Sequence, residues 1–579
     1  MATKDARLTH SGPEAPTDLV ALAARAGIGA EHVIGYGRGV AKIDPAALDG
    51  EPPTDPAAAA HYVVVTGITP TPFGEGKSTT AIGLAQALAQ RGQRSVLTLR
   101  QSAMGPTFGI KGGAGGSGGA RIEPAERMNL HLTGDFHAVT AAHNLLAAML
   151  DNHLHHGNTL GIDVRTITWP RVLDMNDRAL RQVVVGLGAS SDGVTRQSSF
   201  DITPASEVIL SLATSLADLR RRLGRIVVAR RQDGTWVTAE DLKAAGAMAA
   251  VLRDALAPNL LRTGEGTPAL IHTGPFGNIA TGCSSVIADL VAARGMARTG
   301  EDEPGYVLTE AGFGSDMGLE RFVDLKCAVS GMRPEAAVVV VTVRALKAHS
   351  GRYRVVAGKD LPAGMVEENL DDVRTGAANL LKHLQIVRGF GLEPVVAVNV
   401  FPTDHPSEVE EVMRLAREAG ARVAAVRPVT DGGRGCLELA DAVVDACRQV
   451  RQRGGGIHPR YQASDDLRTK IAQVAAMYGV DGVDYTPAAR RFVDSCQKEG
   501  YGDLAVVVAK TPLSLSAEPS AKGVPTGWRL PVREVRLAAG AGYVYAICGS
   551  ISTMPGLPSH PSAEVIDIDP ETGEILNLR

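Results

Sequence analysis

The sequence of 579 residues is 44% hydrophobic and 21% charged, with a formal net charge of −4 at pH 7. A chain of this length exceeds one hydrophobic core, so we expect a globular protein of roughly three to four domains. The weak negative charge argues against nucleic acid and against an anionic membrane as partners.

The six cysteines occur singly, without a CxxC pair. We interpret them as isolated core residues in a reducing compartment rather than as a disulfide or zinc framework. No apolar run reaches the roughly 18 residues that span a bilayer, and the N-terminus has no apolar signal core. A cytoplasmic location is therefore predicted.

Residues 1–60 are rich in Ala, Pro, Asp and Gly. They contain one predicted helix, near Asp18–Arg25, and end in a loop at residues 49–57. We expect this segment to be a short adaptor that packs on the domain that follows it.

A strand, a loop rich in Gly, Pro and Thr, and a helix come next. The strand is predicted at Tyr62–Thr66, the helix at Lys77–Gln90 and a second strand at Ser95–Leu99. Backbone N–H groups and the positive end of the helix dipole converge in such an arrangement, which favours a phosphate-binding loop. The match to GxxxxGKS/T is imperfect because Thr71 replaces the first glycine, and a plain strand-to-helix turn is the alternative.

The loop predicts the contacts of a bound nucleotide. Lys77 stands where it would reach the β- and γ-phosphates of ATP, and Ser78 where its hydroxyl would bind Mg²⁺. The predicted nucleotide-binding residues are Thr71, Pro72, Gly74, Glu75, Gly76, Lys77, Ser78 and Thr79.

A glycine-rich stretch follows the second strand. Six of the twelve residues from Lys111 to Ile122 are glycine, including Gly112 and Gly113. Glycine removes the side chains that keep backbone amides away from a ligand, whereas the same composition is also typical of a flexible linker. We favour a ligand-binding loop, because in such sheets ligands bind beyond the carboxyl ends of the strands.

The segment His131–His156 has apolar residues at helical spacing. It also contains five histidines that could suggest a metal site: His137, His143, His153, His155 and His156. Their spacing forms no HExxH or other known ligand set. We therefore expect capping, polar contacts and solvent exposure rather than a metal site.

From residue 161 the character changes to short strands and arginine-bearing helices, which predicts an inserted α+β domain at residues 151–264. Its predicted strands are Val183–Leu187 and Ile226–Ala229, and its predicted helices Glu207–Arg222 and Ala239–Ala257.

The alternation of apolar strands and helices that is typical of a parallel sheet then resumes. Apolar strands are predicted at Ala269–His272, Tyr306–Thr309, Ala336–Val343, Pro394–Val400 and Arg422–Val426. Continuous apolar runs of this kind are expected of strands covered by helices on both faces. Each strand is followed by a loop bearing Gly or Pro, and such loops at the carboxyl ends of parallel strands form the site in α/β folds.

After RQRGGG at residues 451–456 a C-terminal domain is predicted, with a helix at Asp465–Tyr478 and strands at Leu504–Ala509, Glu534–Leu537 and Gly542–Gly549. The predicted fold class is thus α/β: a P-loop NTPase-like, mostly parallel sheet with helices on both faces, an inserted α+β domain and a C-terminal α+β domain. Residues 1–150 and 265–455 form the predicted P-loop nucleotide-binding domain, and residues 456–579 the C-terminal one.

Several stretches together resemble the formate–tetrahydrofolate ligase family over nearly the whole chain. They include TPTPFGEGKSTT, GPTFGIKGGAGG, FDITPASEV, TEAGFGSDMG, VRALKAHSG, VREVRLAAGAG and TMPGLP. The resemblance implies an ATP-dependent ligase that activates formate as formyl phosphate and formylates tetrahydrofolate to 10-formyltetrahydrofolate, releasing ADP and phosphate. It also implies a homotetramer and assistance by a monovalent cation, K⁺ or NH₄⁺.

The resemblance assigns roles to single residues. Lys77 and Arg100 match the family's catalytic positions, with Arg100 holding formyl phosphate through a planar guanidinium that grips an anion with two N–H groups. Phe401 matches one aromatic wall of the folate site, and Val429 stands where the family has a tryptophan. An aromatic stack lost there is worth roughly 0.5 to 1.5 kcal/mol beyond buried area.

Other departures lie near these positions. The family's Arg-Glu-Pro-Ser reads Arg100, Gln101, Ser102 and Ala103, its Ala-Lys reads Thr430 and Asp431, and an expected histidine is Thr281. Two alternatives to the leading hypothesis therefore stay open: a paralogue that passes the acyl group to another amine, and a catalytically silent nucleotide-binding protein.

Overall fold

The computed structural model describes residues 18–37, 39–50, 58–109, 115–300, 303–356 and 360–578. It is an α/β fold built on a mixed, mostly parallel sheet of 12 strands. Among the described residues, no helix is long and apolar enough to cross a membrane.

Seven adjacent strands of this sheet are parallel. In chain order they are β1 (His61–Gly67), β2 (Ser95–Leu99), β3 (Pro268–Ile271), β4 (Tyr306–Glu310), β5 (Ala336–Val341), β6 (Glu393–Asn399) and β7 (Arg422–Val426). Across the sheet their order is β3-β2-β4-β1-β5-β6-β7. The carboxyl ends of all seven therefore meet at one edge.

Five strands extend the sheet in antiparallel pairs beyond β3. They are Val33–Gly35, Ala41–Ile43, Gly116–Ser117, Ala120–Glu123 and Asn259–Thr263. The smaller sheets use Arg171–Leu173, Val183–Val185, Arg196–Ser198, Phe200–Ile202, Val227–Arg230, Trp236–Thr238, Val483–Tyr485, Ala505–Ala509, Leu530–Val532, Glu534–Ala538, Tyr543–Ile547, Asp567–Ile568 and Ile575–Leu576.

Helices lie on both faces of the large sheet, and other helices pack on the small sheets. They span Leu19–Arg25, Lys77–Gln90, Met104–Phe108, Ala125–Asn129, Asp135–His155, Leu216–Arg225, Ala245–Leu252, Val286–Met296, Ala328–Ser330, Val343–His349, Leu370–Gly389, Pro406–Glu418, Pro428–Asp431, Leu437–Arg453, Leu467–Ala476 and Pro487–Cys496. Side chains alternate along each strand, so Val63 and Val65 of β1 enter one core and Val64 the other. This is why the strands are apolar throughout.

Three predicted boundaries are wrong, two of them because of a side-chain cap. The helix predicted at Glu207–Arg222 begins only at Leu216, because Ser215 caps it by accepting the N–H of Asp218. The helix predicted at Ala239–Ala257 is confined to Ala245–Leu252. The strand predicted to reach Val343 stops at Val341, because Thr342 caps a helix that starts at Val343.

Residues 151–264 and 456–579 carry the small sheets, but the Asn259–Thr263 strand lies in the large sheet. All six cysteines are buried and unpaired.

Candidate active site at the carboxyl edge of the sheet

The loop after β1 ends at Gly76, where the helix Lys77–Gln90 begins. Gly76 has φ 77°, and a Cβ there would lie 2.4 Å from Nδ2 of Asn399, so only glycine fits. Asn399, the last residue of β6, donates from Nδ2 to the Glu75 carbonyl at 3.0 Å. Lys77 and Ser78 consequently occupy the first turn of the helix, where unpaired N–H groups point outward.

The buried Glu75 carboxylate braces this loop from inside. Its Oε1 accepts the backbone N–H and the hydroxyl of Thr71, each at 2.7 Å, and its Oε2 accepts the hydroxyl of Thr342. Arg344 donates to the Gly74 carbonyl at 2.5 Å. The Thr71 hydroxyl, at the position where GxxxxGKS/T has glycine, is therefore part of the loop's internal bonding, and the Glu75 side chain is turned toward the protein.

Two buried histidines hold the start of the loop. His349 Nε2 donates to the Thr69 carbonyl at 2.9 Å, and His383 Nε2 lies 3.0 Å from the Thr69 hydroxyl. Burial lowers the pKa of each histidine to about 4, so both are neutral at pH 7. Neither was singled out from sequence, because each becomes relevant only when its helix packs against the loop.

A third buried group joins two predicted site residues. The Ser78 hydroxyl donates to Oε2 of Glu310 at 2.6 Å, and Arg100 Nε lies 3.7 Å from Glu310 Oε1. Glu310 is the last residue of β4, and Arg100 directly follows β2. Sequence reasoning missed Glu310; the available signal was an acidic residue at a strand end before the glycine-bearing segment AGFG.

The donor set fits a hard divalent cation. Ser78 contributes a hydroxyl, and Glu310 a carboxylate whose side chain is only 3% exposed. Among the described residues, Glu310 Oε1 accepts no hydrogen bond. Hydroxyl and carboxylate oxygens are the ligands that Mg²⁺ prefers, and a buried carboxylate oxygen without a donor gains from such a partner.

Phe401 lies on the loop after β6, and Val429 lies at the same edge in the short helix Pro428–Asp431 after β7. The guanidinium carbon of Arg344 lies 4.0 Å from the Phe401 ring centroid, so one face of that ring is covered. Val429 is 41% exposed, and its carbonyl accepts the N–H of Gly119 at 2.8 Å.

The glycine-rich stretch is ordered where it is described. Gly116–Ser117 and Ala120–Glu123 pair as a hairpin, whose tip packs on the short helix that contains Val429. The predicted ligand contacts Gly112 and Gly113 lie outside the described residues.

Comparison with known proteins gives the family. The model of the family "Formate--tetrahydrofolate ligase" matches residues 5–579. The chain belongs to the formate–tetrahydrofolate ligase family.

Relatives bearing that same name cover nearly the whole chain. A protein of Cutibacterium acnes is 57% identical over 576 residues, 99% of each chain. One of Saccharopolyspora erythraea is 57% identical over 560 residues, 96% of each chain, and one of Roseiflexus sp. 55% identical over 553 residues, 95% of each. The family, the enzyme class and the reaction predicted from the motifs are confirmed: ATP-dependent activation of formate and formylation of tetrahydrofolate.

Two departures from the family motif are buried beside Arg100. The Gln101 N–H donates to the Thr273 carbonyl at 2.6 Å, and its side-chain Oε1 is buried without a hydrogen bond from the described residues. Ser102 Oγ bonds Asn129 Oδ1 at 3.1 Å. Thr281, where the family has histidine, is also buried. Neutral side chains therefore occupy all three of these buried positions.

Two histidines of the long helix Asp135–His155, His137 and His143, make polar contacts of the kind that we expected. His143 bonds the Ser206 hydroxyl at 2.8 Å and stacks on Trp169 at 4.0 Å, and burial lowers its pKa to about 3. His131 and His137 pair with each other at 2.8 Å.

One group of three donors among the described residues lies at the amino ends of β1 and β5, away from the site. It comprises His61, Glu335 and Cys447. Arg451 donates to Glu335 Oε1 and His61 Nδ1 lies against Oε2, each at 2.5 Å, so both oxygens of this carboxylate already have polar partners.

Proposed function

We propose that this chain forms formyl phosphate and transfers its formyl group at the carboxyl edge of the sheet, in a P-loop-like nucleotide site. The observation that carries this assignment is the meeting of the Ser78 hydroxyl and the Arg100 guanidinium on one buried carboxylate, Glu310. It brings a nucleotide residue and an anion-binding residue, from separate loops, to one point.

In the first step a formate oxygen attacks the γ-phosphorus of ATP, and ADP leaves. The residues Thr71 to Thr79 supply backbone N–H groups to the phosphates, and the Lys77 ammonium faces the negative charge of the transferring group. Ser78 and Glu310 would hold Mg²⁺, which supplies further charge neutralisation at the phosphate oxygens. Arg100, 27% exposed, is accessible to grip the acyl phosphate formed.

In the second step the tetrahydrofolate amine attacks the formyl carbon, phosphate leaves with the bond electrons, and the amine loses its proton. Phe401 offers one ring face to the pterin, and Val429 provides an apolar contact in place of a second aromatic wall. Because Arg344 joins the Phe401 ring to the Gly74 carbonyl, the acceptor site and the nucleotide loop share a rigid support.

The same proposal includes the finer features that the family resemblance implies. These are a cytoplasmic homotetramer, a monovalent cation, K⁺ or NH₄⁺, as activator, and a division into the nucleotide-binding segments 1–150 and 265–455, an insert and a C-terminal domain. Light scattering after size-exclusion chromatography would measure the mass of the assembly. Comparing turnover rates in K⁺ and in Na⁺ would measure the effect of the monovalent cation.

The experiment is ADP release from Mg-ATP and formate, with and without tetrahydrofolate. We expect rapid ADP release only when all substrates are present, and a loss of at least a hundredfold in Lys77→Ala and Arg100→Ala. Lys498→Ala, an exposed lysine of the C-terminal segment, is the matched control. Full activity in Lys77→Ala would refute the assignment of the site. ADP release at the same rate with and without tetrahydrofolate would refute the assignment of the acceptor.

A further inference from the structure

The sheet order explains why one side chain reaches both halves of the site. Strand β4 lies between β1, which precedes the nucleotide loop, and β2, which precedes Arg100. Its last residue, Glu310, therefore projects between the two loops. No other strand of the parallel sheet adjoins both.

The two oxygens of Glu310 have different surroundings. Oε2 accepts the Ser78 hydroxyl at 2.6 Å, whereas Oε1 faces Arg100 Nε at 3.7 Å. Neither Oε1 nor Arg100 Nε has a hydrogen bond within the described parts of the chain. With 3% of its side chain exposed, the carboxylate also receives little compensation from water.

Three buried lysine–carboxylate pairs of the described residues are closer. Lys326 with Asp289 and Lys347 with Glu408 are each 2.5 Å apart, and Lys510 with Asp316 is 2.7 Å apart. A long distance is not peculiar to Glu310, since the buried Arg321 Nε and Glu320 Oε2 are 3.9 Å apart. What distinguishes Glu310 is its place: its Oε1, without a hydrogen bond among the described residues, lies at the end of the strand between the two loops and can take another partner there.

We propose that Glu310 is a positioning residue that couples divalent-cation binding at Ser78 to acyl-phosphate binding at Arg100. This inference rests on the proposed function and adds a residue and a coupling to it. The single negative charge of Glu310 attracts both a cation at Ser78 and the Arg100 guanidinium. When a cation binds at Ser78, the attraction between Glu310 and Arg100 is therefore weaker. Arg100 is then available to the acyl phosphate. Because coupling between two binding equilibria is reciprocal, an anion on Arg100 strengthens cation binding equally.

Two binding measurements test the coupling without turnover. The first is the affinity of the ADP-bound protein for Mn²⁺. It is obtained from the concentration of free Mn²⁺, which electron paramagnetic resonance measures. The second is calorimetric binding of phosphonoacetaldehyde, a stable phosphonate analogue of formyl phosphate, with Mg²⁺ or with a chelator. The variants are Glu310→Gln and Arg100→Gln. Glu335→Gln is the control, since it neutralises a partly buried, ion-paired glutamate at the opposite edge of the sheet.

In the wild type we expect the analogue to bind at least fivefold more tightly with Mg²⁺ than without. Glu310→Gln is expected to weaken Mn²⁺ binding at least tenfold and to bring the analogue's two affinities within twofold of each other. Arg100→Gln is expected to strengthen Mn²⁺ binding severalfold, because the carboxylate then has one positive partner fewer. A purely structural glutamate would not produce that increase, and thermal unfolding of each variant checks that it is folded.

Unchanged Mn²⁺ affinity in Glu310→Gln, persistence of the Mg²⁺ effect on the analogue in that variant, or no gain in Arg100→Gln would each overturn the coupling. In those cases the wild type still binds ADP with Mn²⁺, so the proposed function stands. If the wild type itself binds no ADP with Mn²⁺, both the proposed function and the coupling are wrong.

Discussion

Replacing Glu75 by alanine tests whether this side chain shapes the nucleotide loop from within. The substitution removes the acceptor of three hydrogen bonds, two from Thr71 and one from Thr342, at a position that is 1% exposed. A hydrogen bond to a charged group contributes about 1.5 to 3 kcal/mol, and such bonds are not additive. Removing one partner of a buried ion pair costs about 3 to 5 kcal/mol because the other charge is left uncompensated, and here that charge is Arg344, whose Nε lies 3.9 Å from Glu75 Oε2.

We therefore expect Glu75→Ala to lower the free energy of unfolding by about 3 to 5 kcal/mol. ADP affinity is expected to fall at least tenfold, because Thr71 is released. In Glu75→Gln the amide oxygen keeps both bonds from Thr71, so the loss is expected to be about 1 to 2 kcal/mol.

Urea unfolding and ADP calorimetry measure the two effects. Glu410→Ala, an exposed glutamate of the helix Pro406–Glu418, is the control. A Glu75→Ala protein within about 1 kcal/mol of the wild type, with unchanged ADP affinity, would refute the internal brace.

Further predictions concern the acceptor, the loop backbone and pH. Val429→Trp is expected to lower the KM for tetrahydrofolate about threefold to tenfold, from the added ring stacking, and to leave the KM for ATP unchanged in steady-state assays; no change in either would refute the clamp position. Gly76→Ala is expected to abolish ADP binding in calorimetry. Gly92→Ala, beyond the end of the same helix, has positive φ but open space around its Cβ position, so as the control it carries only the backbone strain; equal effects would refute the close approach of Gly76 to Asn399. Because burial holds the pKa of His383 at about 4, below its unfolded value of 6.5, the unfolded state binds more protons between these values, and stability falls as the pH drops below about 6.5 and levels off below about 4. In urea unfolding at pH 7 and pH 5.5, His383→Gln is expected to reduce this fall by about 1.2 kcal/mol in total, and an unchanged fall would show that the histidine is not neutral in the fold.

Elements with strong local signals could be read from sequence. The helix Lys77–Gln90 and the strands Ser95–Leu99 and Arg422–Val426 are found at their predicted bounds. Each has continuous apolar character or a glycine immediately before a helix, and both signals act over a few neighbouring residues. Bounds set by a side-chain cap, such as that of Ser215, were missed by up to nine residues, since capping depends on which of several hydroxyls turns inward.

The sequence by itself determined the family. It also predicted the phosphate-binding loop and the alternation of apolar strands and helices, which places the strand ends at one edge of a parallel sheet. Only the tertiary structure decided which residues meet there. Glu310 and Ser78 are 232 positions apart, Arg344 and Gly74 are 270 apart, and His383 and Thr69 are 314 apart. Nothing in the residues around Glu310 shows that its strand lies between the two loops, because strand order is fixed by the packing of helices from the whole chain.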